Sequence, residues 1–155
     1  MPDRKSRSLA DALADTKPEA DFDFEAPWRE GYPSRSPENA SSRPAILDRS
    51  DWADDPTQWL GEVQLGAHGA RLCLIFNLME PGNGPRLHRH PYPETFVIRA
   101  GRAVFTVGDD TVEATAGQIV VVPAGVAHKF HNPGPDVLET LDIHESGSID
   151  TEWLE

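Results

Sequence analysis

Two histidines one residue apart, with a glutamate four residues after the second, constrain this chain more than any other feature. They lie in residues 82–101, GNGPRLHRHPYPETFVIRAG, as His88, His90 and Glu94. On an extended strand side chains alternate between faces, so His88 and His90 point to the same side. Two imidazoles on one face and a carboxylate just beyond the next turn can close on a single metal ion. That donor set suits first-row divalent metals such as Fe, Mn, Ni, Co, Cu or Zn. His128, further downstream, is available as a fourth ligand.

A chain of 155 residues is long enough for one domain and short for two. Its hydrophobic share is 38%, low for a fully globular chain, so part of the length is expected to lie outside any core. The formal net charge of −12 repels nucleic acid and anionic membrane surfaces, so neither is expected as a partner. The single cysteine, Cys73, excludes an internal disulfide and fits a reducing cytoplasm. There is no apolar run of about 18 residues that would span a membrane. The N-terminus has no apolar signal-peptide core, and Asp3, Asp11 and Asp15 argue against a transit peptide.

Residues 1–45 are rich in proline and charge and poor in aliphatic side chains. Such a segment buries too little apolar surface to offset its ordering entropy. An extended, partly disordered arm is expected there, with one short helix over residues 8–15 capped by Ser8. Its isolated rings, Phe22, Phe24, Trp28 and Tyr32, could lie on the arm's own domain or on a neighbouring subunit. Asp54, Asp55 and Pro56 read as the start of a second short helix that closes at Trp59 and Leu60. From Glu62 onward short strands alternate with turns. Strands are expected over residues 70–79, 87–90, 94–99, 102–107, 111–114, 118–122, 127–131 and 137–144, the run QIVVV at 118–122 reading as buried. Strands this short and this evenly spaced indicate an all-β sandwich or barrel over residues 46–155. The end of the chain, residues 151–155, has no clear pattern.

A second stretch, residues 117–132, GQIVVVPAGVAHKFHN, carries Gly117, Pro123, Gly125, His128 and Asn132. Together the two stretches resemble the cupin superfamily. Its first motif is Gly, five residues, His-x-His, three or four residues, Glu, six residues, Gly, matched by Gly82, His88, His90, Glu94 and Gly101. Its second is Gly, five residues, Pro-x-Gly, two residues, His, three residues, Asn, matched at every position by the residues just named. The resemblance covers roughly residues 63–143. It implies a small double-stranded β-barrel, or jelly roll, with one divalent transition metal inside it. It also implies that His88, His90, Glu94 and His128 are the ligands, and that the protein is a homodimer.

Four protein ligands leave two positions open on a six-coordinate metal, which suits catalysis better than a closed structural site. An enzyme acting on a small, oxygen-rich substrate is therefore expected, with an Fe(II) dioxygenase as the first expectation. A lyase or isomerase using Zn, Mn or Ni is the second, and a non-enzymatic metal-containing binding module the third. Two catalytic candidates lie near the ligands. Arg86 shares strand parity with His88 and His90 and could hold an anionic group; Tyr92 could serve as an acid or base. Phe96, Ile98 and Phe130 share parity with ligands and are expected to form an apolar wall. Asn77, alone in an apolar strand, could point inward. His131 falls on the opposite face from His128. His68 and His144 have no spacing relation to the site and read as ordinary, and Cys73 reads as a core residue.

Overall fold

The structure, a computed structural model, describes residues 43–155. The expected helix at 8–15 and the rings of Phe22, Phe24, Trp28 and Tyr32 lie outside the described residues. Ten strands follow in order: β1 Gly61–Gln64, β2 Cys73–Met79, β3 His88–Arg89, β4 Glu94–Ala100, β5 Arg102–Val107, β6 Asp110–Thr115, β7 Ile119–Val122, β8 His128–His131, β9 Leu138–His144 and β10 Glu152–Trp153. Short 3₁₀ turns at Arg49–Asp51 and Leu65–His68 precede and follow β1. The strands form two antiparallel five-stranded sheets, ordered β1-β2-β9-β4-β7 and β10-β3-β8-β5-β6. Such an all-β, two-sheet arrangement is the jelly-roll expectation.

Period-two alternation fills the inside. On β4, Glu94, Phe96 and Ile98 are buried; on β9, Leu138, Thr140, Asp142 and His144 are. Register sets these rows side by side: Glu94 opposite His144, Phe96 opposite Asp142, Ile98 opposite Thr140. The interior is therefore polar at one end of these strands and apolar toward the other. The apolar part is Phe96, Ile98, Ala103, Phe105, Ala114, Val122, Phe130 and Leu138. Phe96 meets Phe105 at 5.0 Å and Phe130 at 5.2 Å between ring centroids, both edge-on. Each such aromatic pair adds about 0.5–1.5 kcal/mol beyond the burial of its area.

Two hydrogen-bonded corners hold the strands at their working positions. Gly101, between β4 and β5, has φ +76°, and a Cβ there would sit 2.6 Å from the Val137 carbonyl oxygen, so only glycine fits the turn. Asn132, fully buried, donates through Nδ2 to the carbonyls of Met79 and Asp136, both at 2.8 Å, and accepts from the Gly134 amide at 2.7 Å. It ties the segment after β8 to the end of β2.

Two sequence expectations need correction, and one stretch left without an expectation takes a definite form. No helix forms over residues 54–60. The Asp55 side chain instead accepts from the Thr57 amide at 2.8 Å and from the Thr57 hydroxyl at 2.7 Å, a local turn that competes with helix. This segment lays Trp52 on Phe76 at 4.3 Å and Trp59 on Phe76 at 5.4 Å. The run at 118–122 is not buried throughout: Ile119 is 62% and Val121 61% exposed, because they point to the outer face of β7, an edge strand, while Val122 points inward. The end of the chain is ordered, with β10 pairing β3 through Trp153 opposite His88 and Glu152 opposite Arg89.

Candidate metal centre

β3, β4 and β8 bring His88, His90, Glu94 and His128 together at the polar end of the barrel. All four are buried, and their ligating atoms lie within 4.8 Å of one another. Neighbouring strands fix this, since His88 pairs with His128 across the β3–β8 ladder. The turn at residues 91–93, two of them proline, returns the chain from His90 to Glu94.

Ring orientation decides what these histidines can do. Nδ1 of His88 faces the Arg86 carbonyl at 2.6 Å, Nδ1 of His90 the Asp150 carbonyl at 2.7 Å, and Nδ1 of His128 the Val126 carbonyl at 2.9 Å. A ring nitrogen that faces a carbonyl carries the hydrogen, so in each neutral ring Nε2 keeps the lone pair. His128 Nε2 lies 2.8 Å from Glu94 Oε2, and His90 Nε2 lies 3.1 Å from the same oxygen without alignment for a hydrogen bond. At this distance His128 Nε2 and the carboxylate need either a hydrogen between them, on a doubly protonated ring, or a cation that both can bind. The residues thus fit a divalent metal: bare Nε2 donors, an anionic oxygen, and carbonyl anchors behind each ring.

The electrostatics agree. Burial would raise the Glu94 carboxyl, but His128, His144 and His90 outweigh it and hold Glu94 well below the usual carboxylate range. Burial lowers His88. It would lower His90 as well, yet Glu94 and the Asp150 carbonyl outweigh it, so His90 is raised. Burial and then the Glu94 charge push Asp142 well above its ordinary value.

A cavity of about 210 Å³ opens from the ligands, walled by Ile75, Met79, Phe130 and Trp153, with Asn77 and Asp142 on its β2–β9 side. Asn77 does point inward. Phe96 and Ile98 lie in the core.

The two catalytic candidates fall elsewhere. Arg86 is exposed; its Nη1 donates to the Glu155 carbonyl at 2.8 Å, and its guanidinium sits 4.8 Å over the Trp153 ring. β3 begins only at His88, so strand parity does not extend back to residue 86. Tyr92 stacks flat on the outer side of His90, centroids 5.2 Å apart and planes 8° apart. Its hydroxyl accepts from the Asp150 amide at 2.8 Å and lies 3.3 Å from the Asp150 carbonyl, so it braces the His90 anchor. His131 and His68 are exposed, and Cys73 is fully buried.

His144 is the residue the spacing did not reveal. It is buried, and its Nε2 lies 3.1 Å from Glu94 Oε1, close but off the hydrogen-bond axis; neither of its ring nitrogens has an aligned partner. Its edge meets the His90 ring at 4.7 Å. Ile149, Thr151 and Trp153, from the stretch that looked patternless, also line the cavity.

Comparison with known proteins agrees with this geometry. Residues 76–144 match the family model described as Cupin domain. An uncharacterised protein of Streptomyces coelicolor is 46% identical over 48 residues, covering 31% of this chain and 46% of that protein. Mannose-1-phosphate guanylyltransferase 2 of Escherichia coli is 31% identical over 76 residues, covering 48% of this chain and 16% of the enzyme. The chain thus spans less than half the length of the curated relatives it matches. Among solved structures, oxalate decarboxylase of Bacillus subtilis, with Mn(II) centres, aligns at TM-score 0.56 and 24% identity over 61% of this chain and 27% of that one. A conserved Klebsiella pneumoniae protein with a double-stranded β-helix domain aligns at TM-score 0.51 and 21% identity, covering 54% of this chain and 70% of that one. No described helix is long and apolar enough to cross a membrane. From its motifs, its two sheets and the family match together, residues 76–144 of this chain are a cupin domain.

Proposed function

We propose that the chain is a metal-dependent enzyme acting on a small, oxygen-rich organic molecule, and that it works as an Fe(II) dioxygenase. The observation that carries this is the convergence of three carbonyl-anchored histidines and one carboxylate beside a cavity. Bound there, a divalent metal would polarise substrate oxygens and leave neighbouring positions for a substrate and dioxygen. The chain's own part is positioning and exclusion. The carbonyls of Arg86, Asp150 and Val126 lock the rings, Glu94 supplies negative charge, and Phe130, Met79 and Trp153 keep the cavity wall apolar.

A second reading is a non-oxidative lyase or decarboxylase on Mn. The likeness in fold to a decarboxylase with Mn(II) centres favours it. Elemental mass spectrometry on untagged protein, followed by an oxygen electrode and a panel of chelating hydroxy and keto acids, separates the two. One equivalent of iron with substrate-dependent oxygen uptake is expected. Turnover under nitrogen would replace the dioxygenase reading with the second. Ligand-dependent thermal stabilisation without turnover would leave a binding module.

A further inference from the structure

The β2–β9 side of the cavity holds a group that the metal chemistry leaves unused. Asp142 is 3% exposed. Its Oδ2 accepts from Asn77 Nδ2 at 2.6 Å, and Asn77 also reaches Thr140 Oγ1 at 3.3 Å. Its Oδ1 has no aligned hydrogen-bond partner among the described residues, with the Thr140 hydroxyl beside the carboxyl. Native structures rarely leave a buried carboxyl oxygen unpaired, and each exception calls for an explanation. Asp142 lines the same cavity as three of the four candidate ligands, His88, His90 and Glu94. It stands two residues from His144 along β9, roughly 7 Å at the rise of an extended strand. A ligand of a few carbon atoms spans that distance.

The charge around this point is one-sided. Glu62, exposed on β1, lines the cavity with Asp142 and Glu94, whereas among the described residues neither lysine nor arginine lines it. Arg86, the cation expected there, is turned away onto Trp153. A ligand that brought a second carboxylate to the Asp142 side would meet two acidic side chains and no cation. A ligand that brought a hydrogen-bond donor would complete the free Oδ1.

We infer that Asp142, supported by Asn77 and Glu62, is a specificity-determining contact that receives an uncharged or cationic hydrogen-bond donor, a hydroxyl or a protonated amine, from a ligand whose other end reaches the metal positions. This rests on the reading of the site as a metal centre for an oxygen-bearing substrate. It deepens that reading by excluding dicarboxylates as preferred ligands. The contact selects by pairing: an analogue without the donor leaves Asp142 unmatched, and such a mismatch is discriminated more strongly than a missing methylene.

The test uses the full chain loaded with Zn(II), which is redox-silent, and isothermal titration with α-hydroxy acids that share one backbone. They end in an ammonium, a hydroxyl, a methyl or a carboxylate. The ammonium and hydroxyl members are expected to bind at least about tenfold tighter than the other two. Asp142→Asn is expected to erase the advantage of the ammonium over the carboxylate. Glu62→Gln, at an exposed position that does not threaten folding, is expected to narrow it. Binding of the carboxylate member as tight as that of the ammonium, or an unchanged ranking in both variants, overturns the inference while leaving the metal reading intact. Retention of zinc with no binding of any member overturns the reading of open metal positions, and this inference with it.

Discussion

Replacing His144 with phenylalanine tests the architecture around Glu94 most directly. The wild-type ring is buried, its Nε2 is 3.1 Å from Glu94 Oε1, and it packs edge-on against His90. Phenylalanine keeps the ring and most of its volume, so packing changes little. What is lost is the polar neighbour that biases one Glu94 oxygen and leaves Oε2 toward His90 and His128. Outer partners of metal ligands are typically worth 10–100-fold in metal affinity, about 1.4–2.7 kcal/mol. Stability of the metal-free protein is expected to change little, since the loss of the contact that helps hold the Glu94 carboxyl low is offset by a second effect. Neither nitrogen of His144 has an aligned partner, and removing a buried unsatisfied group recovers part of about 1–3 kcal/mol. Chelator competition with Zn(II), the visible spectrum of the Co(II) form, and thermal melts of the metal-free protein give the three readouts. A weaker site with an unchanged Co(II) spectrum and a nearly unchanged metal-free Tm is expected. A loss beyond about 10⁴-fold with an altered spectrum would make His144 a ligand itself. Wild-type affinity would mean that Glu94 is oriented without it. Either result refutes the reasoning.

Tyr92→Phe removes the brace on Asp150 but no cavity group, so a stability loss of about 0.5–1.5 kcal/mol and an unshifted pH profile of turnover are expected; a lost ionisation in that profile would restore Tyr92 as acid or base. Arg86→Ala is expected to leave substrate affinity within about threefold, below the 1.4 kcal/mol of a tenfold change, because Arg86 faces the end of the chain; a large rise in KM measured with an anionic substrate would contradict this. Metal affinity is expected to rise with pH. His90, raised above its ordinary value of 6.5, must release its proton to bind metal, so affinity climbs through that value and levels above the raised one. Titrations of Zn(II) between acid and neutral pH that show no slope would rule it out.

Strand parity placed His88 with His90, and the resemblance to the two cupin motifs added Glu94 and His128 to the candidate ligands. Parity failed where the strand was too short to carry it, as at Arg86. The sequence of β9, LETLDIH, hid His144 for a different reason. Leu138 lies on the buried face, but Leu141 and Ile143 lie on the other, so hydrophobicity alone does not say which face turns inward. The same ambiguity made β7 read as buried, since an apolar run carries no mark of its place at a sheet edge. The Asp142–Asn77 pair needed the register of β2 against β9, which no local pattern encodes.

The pairing of β10 with β3 has a consequence for the order in which the molecule is made. The four candidate ligands have all been synthesised by residue 128, yet the carbonyl that turns His90 belongs to Asp150, and the strand beside His88 ends at Trp153. Closing that edge joins segments more than sixty residues apart in the chain, and contacts of such separation pay their loop-closure entropy before they are rewarded. On a ribosome the apolar part of the barrel can therefore begin to collapse while His90 still lacks its anchor. Capture of a metal at this site would then be a late event, gated by emergence of β10 rather than by the ligands themselves.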